Sequence, residues 1–71
     1  MYVKKGNHTV NTDNFDNINL DEAHNSVGFH QINKERFILS FQEPQAANEA
    51  YELIFAAIEK GKNTIDLSKI L

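Results

Sequence analysis

The chain contains no cysteine, a single proline and three glycines. Without cysteine, disulfides and thiolate metal sites are excluded. Gly6, Gly28 and Gly61 are scattered. Each reads as a turn, strand or cap residue, so there is no glycine-rich loop to cradle a phosphate. No apolar run approaches the ~20 residues a membrane span needs. The stretch MYVKKGNH has two lysines but no apolar segment behind them. That is not the pattern of a signal peptide, and the expected compartment is the cytoplasm. Positive charge is also short, with 7 Lys and Arg against 10 Asp and Glu and a net charge of −3. Nucleic-acid binding usually shows as a basic face, so that partner is disfavoured.

What the chain does have is enough apolar residue to fold, 41% of 71 residues. One domain spanning 1–71 is expected. A core this small is marginal, and such domains commonly draw on a disulfide, a metal or a partner subunit. The most regular stretch is EPQAANEAYELIFAAIEKG, from Glu43 to Gly61. Pro44 suits the first helical position, where its missing N–H has no partner to lose. Gly61 suits the position just past the end, with Lys60 and Lys62 complementing the helix dipole. Ala47, Ala50, Tyr51, Ile54, Phe55 and Ile58 recur at steps of three and four, which predicts one broad apolar face. Leu53, Ala56 and Ala57 widen it.

Before the helix the pattern is that of strands. MYVKK-GN-HTVNT reads as a hairpin turning at Gly6-Asn7, with Lys5 opposite His8 and Val3 opposite Val10. TDNFDNIN, from Thr12 to Asn19, is crowded with turn residues whose side chains compete with regular structure. Phe15 is expected as a lone core anchor there, with a short strand resuming at Ile18–Leu20. DEAHNS, Asp21 to Ser26, reads as a polar loop. VGFHQI-NKE-RFILSF reads as a second hairpin around Asn33-Lys34-Glu35, or a five-residue version of that loop. Placing Val27 and Phe29 on one face with Phe37, Leu39 and Phe41 pairs Val27 with Phe41 and Phe29 with Leu39. Ile32 and Ile38 then fall on the opposite face with His30 and Ser40. After the helix, Ile65, Leu67, Ile70 and Leu71 make an apolar tail. It is expected as a further strand or a short helical turn from Asp66, and either could cover Ile32 and Ile38.

The predicted fold is therefore α+β: a small antiparallel sheet of four to five strands in two hairpins, packed against one C-terminal helix and followed by the tail. The expected core is Val3, Val10, Phe15, Ile18, Leu20, Val27, Phe29, Phe37, Leu39, Phe41, Ala47, Tyr51, Ile54, Phe55 and Ile58.

Chemistry-bearing patterns are absent from the sequence. A calcium loop started at Asp13 puts Phe15 at its third position, and one started at Asn17 puts Glu22 where glycine is needed. His8, His24 and His30 match no ligand spacing. Ser26, Ser40 and Ser68 lack a nucleophile context, and Asp21 and Glu22 are adjacent and point apart. No catalytic, cofactor or metal residue is assigned, and no small-molecule ligand is evident. The reading is a non-enzymatic protein-binding or assembly module. The expected homodimer forms through Ile32 and Ile38 with the tail (Ile65, Leu67, Ile70), or through the outer helix stripe. Competing readings are a nucleic-acid-associated regulatory binder using Lys4, Lys34 and Arg36, and a metal-dependent enzyme using the histidines.

Overall fold

Gly6 adopts φ +59°, and the first hairpin closes around it as the sequence predicts. Strand β1 (Tyr2–Lys5) pairs antiparallel with β2 (His8–Asn11), with Val3 opposite Val10 and Lys5 opposite His8. This computed structural model describes residues 1–31 and 36–71. The expected loop Asn33-Lys34-Glu35 lies outside the described residues, as does Ile32.

The polar stretches fold into capped turns. Asn11 Oδ1 accepts from the Asp13 N–H at 3.1 Å and starts a 3-10 turn at Thr12–Asn14. Phe15 follows it half-buried, its ring 5.6 Å from that of Phe29. Strand β3 (Asn17–Asp21) then runs antiparallel to β4 (Ser26–His30). Between them Asp21 caps a second 3-10 turn, Glu22–His24, and Asn25 reverses the chain in the left-handed region at φ 51°. Asparagine tolerates that conformation better than most residues.

Strand β5 (Phe37–Ser40) pairs with β4 two residues away from the expected register. Val27 faces Leu39 and Phe29 faces Phe37, not Phe41 and Leu39. Because side chains alternate with period two, a shift of two leaves every residue on its predicted face. Phe41 lies one step past β5, opposite Asn25, and its N–H donates to the Asn25 carbonyl at 2.8 Å.

Helix α1 (Pro44–Glu59) starts with its proline in the first turn. It ends in a Schellman arrangement: the Gly61 N–H donates to the Ile58 carbonyl and the Lys62 N–H to the Ala57 carbonyl, both at 3.0 Å, with Gly61 at φ +70°. Its buried residues are Ala47, Ala50, Ile54 and Ala57. Phe55 and Ile58, both expected in the core, are exposed by 37% and 41%. The helix is rolled toward its alanine side, where short side chains allow close approach to β3, β4 and the Glu22–His24 turn.

The last strand changes the sheet count. Strand β6 (Thr64–Asp66) lies parallel to β1, with Ile65 opposite Val3. The described residues thus form two three-stranded sheets, β2-β1-β6 and β3-β4-β5, where one sheet of four to five strands was expected. The α+β class stands. One core cluster joins Val3, Val10, Val27, Phe29, Leu39 and Phe41 to the buried face of α1. Leu67 belongs to it, 1% exposed, its N–H donating to the Lys4 carbonyl at 2.7 Å. The tail therefore extends the first sheet. It does not cover Ile38, which is 46% exposed.

Two polar contacts hold that tail. Ser68 Oγ accepts from the Gly6 N–H at 2.9 Å, and Asp66 Oδ1 accepts from the Ser68 N–H at 2.8 Å. Hydrogen bonding from Ser68, hydroxyl first and then backbone, holds the Asp66 carboxyl below its ordinary pKa, with Lys4 and Lys69 adding attraction. A carboxyl lowered by folding stabilises the fold above its unfolded pKa and loses that contribution as pH falls through the folded one. Asp66→Asn should therefore flatten part of the acid dependence of the melting temperature, from about pH 4 downward. Parallel acid profiles for the two proteins would rule this contribution out.

Candidate interaction surfaces

The residues marked from sequence as an interaction surface separate in the fold. Leu67 is buried, Ile65 and Ile70 are half-buried against the core, and Ile38 points outward from β5. Ile32 lies outside the described residues.

Rolling α1 toward its alanines turns larger side chains outward. Leu53 is 41% exposed on one flank of the helix. On the other flank Phe55 meets Tyr51 edge to face, ring centroids 4.9 Å apart. Phe55 and Ile58 also form one wall of a groove of about 550 Å³. Phe15 and Ile18 line the opposite side, with Asp13, Asp16 and Lys62 among the polar lining. Sequence periodicity had placed Phe55 and Ile58 in the core. The signal that could have shifted them outward is the spacing of Ala47, Ala50 and Ala57 with Ile54, which is itself a complete helical stripe.

The second surface is the outer face of β3-β4-β5. The groove there, about 610 Å³, is lined by Ser26, Gly28, His30, Arg36, Ile38 and Ser40, with Asn19, Leu20, Asp21 and His24 on the β3 side. His24 Nδ1 lies 2.8 Å from Asp21 Oδ2. That hydrogen bond, more than the charge of His24, holds the Asp21 carboxyl below its ordinary pKa. Among the described residues Ile38 stands on this face with mainly polar neighbours.

The remaining candidates do not converge. His8 is exposed at the edge of the first sheet, its ring 6.2 Å from that of Phe37. Among the described residues no group of three or more His, Asp or Glu side chains is placed to hold a metal ion. Lys4 lies on β1 and Arg36 precedes β5, on separate sheets, and Lys34 is outside the described residues. No helix among the described residues is long and apolar enough to cross a membrane. Comparison with protein-family models, with curated proteins and with solved structures finds no match to this chain.

Proposed function

We propose that the chain is a non-enzymatic protein-binding module that works as a homodimer through the outer flank of α1. The observation that carries this reading is the exposure of Phe55 and Ile58 on one flank of α1, continuing into a groove that Phe15 and Ile18 also line. Contiguous apolar surface of this kind marks contacts, and a 71-residue chain has little core to spare without one. A second copy suits this flank, because two α1 helices crossed antiparallel about Phe55 would cover Phe55 and Ile58 of both copies in one two-fold contact. The alternative contact through Ile38 has less support, because that isoleucine is surrounded by Asn19, Ser26, His30 and Ser40. Sedimentation over a concentration series tests the proposal. A monomer–dimer equilibrium is expected, and a clean monomer at high micromolar concentration would overturn it.

A further inference from the structure

The outer face of β3-β4-β5 is ordered in rows by the strand register: Asp21–Ser26–Ser40, then Asn19–Gly28–Ile38, then Asn17–His30. Gly28 stands at the centre. Its backbone does not require glycine, since positive φ is confined to Gly6, Asn25 and Gly61 among the described residues. Glycine supplies space instead. A Cβ at this position would meet His30 Nε2 at 3.3 Å, so the bare backbone lets the imidazole lie across the middle of the face. Glycine inside a strand often marks such a close approach.

Three groups on that face are without a side-chain partner among the described residues. His30 is half-buried, and neither ring nitrogen bonds to another described residue. Ser26 is 5% exposed and its hydroxyl makes no hydrogen bond with a described residue. Among the described residues no side-chain N or O is sealed off without a partner, so this hydroxyl opens to the groove. Arg36 lines the same groove and forms no ion pair with a described residue. Among the described residues one carboxylate lines the groove, Asp21, and it is already engaged by His24. The described lining thus offers Arg36 and His30 with no free carboxylate beside them, in a groove of about 610 Å³, a volume within the usual range for small-ligand sites.

We infer that this face binds a small organic anion, a carboxylate or a phosphate ester. Arg36, His30 and the Ser26 hydroxyl hold its oxyanion, and its apolar body rests on Ile38. Guanidinium and imidazole donors favour an oxyanion over a neutral ligand because charge-assisted hydrogen bonds are the stronger ones. The site also accounts for an exposed isoleucine in polar surroundings. It is separate from the helix flank proposed above for dimerisation and does not depend on it.

The test is an NMR titration of the 15N-labelled protein with inorganic phosphate, phenyl phosphate and benzoate. Saturable shifts centred on Gly28, His30 and Arg36 are expected, with at least one aromatic anion binding more tightly than inorganic phosphate. The order of phenyl phosphate and benzoate then tells which oxyanion the site prefers. Arg36→Gln should weaken binding about tenfold, the loss of one charge-assisted contact. Gly28→Ala should shift the His30 ring by a few tenths of an ångström and weaken binding, while the circular dichroism and melting temperature stay near those of the parent. Three results would overturn the inference: no saturable shift up to about 20 mM ligand, a range beyond the weakest useful affinities; shifts spread over Lys4, Lys60 and Lys62, the signature of an adventitious ion only; or unchanged binding in Arg36→Gln.

Discussion

Leu67→Ala is expected to leave most of the chain unfolded at room temperature. Leu67 is 1% exposed and sits in the same core cluster as Val3 and Ile54. Truncating a buried leucine costs about 2–5 kcal/mol, the spread reflecting how well the cavity can collapse. Cores of this size seldom supply more than about 3–5 kcal/mol. The two figures overlap, so a single cavity can remove the whole margin. Leu71→Ala is the control. That side chain is 67% exposed, and surface changes of this kind stay within about 0.5 kcal/mol. Urea titration followed by circular dichroism separates the cases. A Leu67→Ala midpoint close to that of the parent would mean that the tail does not contribute to the core as placed here.

That Leu67 is core and not contact surface was hidden from the sequence for a definite reason. KNTIDLSKIL has too few residues for a period to declare itself, and parallel pairing with β1 leaves no turn signal. The parts that were legible are those with local causes. Pro44 and Gly61 bound α1 because missing donors and positive φ are properties of single residues. Gly6 sets the first hairpin register for the same reason. The second hairpin shows where local reasoning stops. Alternation assigns Val27, Phe29, Phe37 and Leu39 to one face, and they are there. It cannot distinguish pairings that differ by two residues, because both bury the same set. The roll of α1 was illegible in another way. The alanine stripe and the Tyr51–Phe55–Ile58 stripe overlap through Ile54, and which one turns inward depends on how closely the sheets approach. The groove around His30 was least legible of all. It arises from three strands that bring Asn19, Gly28 and Ile38 into one row, and no stretch of the sequence holds those residues together.

Phe55→Glu is expected to dissociate the homodimer without unfolding the protomer. Phe55 is 37% exposed in the single chain, so its remaining surface is what a second copy would cover. Truncating a central aromatic at an interface typically costs about 2–4 kcal/mol, or roughly 30- to 1,000-fold in Kd. The glutamate adds to this. It stands three residues after Glu52 and four before Glu59, so the helix flank gains a third carboxylate at neighbouring positions. Antiparallel pairing would crowd it against the same group in the other copy. Within the protomer the loss is smaller, chiefly the edge-to-face contact with Tyr51, for which about 0.5–1.5 kcal/mol is typical beyond burial. Sedimentation should show monomer where the parent shows dimer, with the helical circular dichroism retained. Phe55→Ala supplies the gentler version should the charge disturb folding, and it should shift the equilibrium in the same direction. Ile38→Glu makes the comparison decisive, because it places the same charge on the polar sheet face and should leave association as it was. A dimer that survives Phe55→Glu and fails in Ile38→Glu would move the contact from the helix to the sheet.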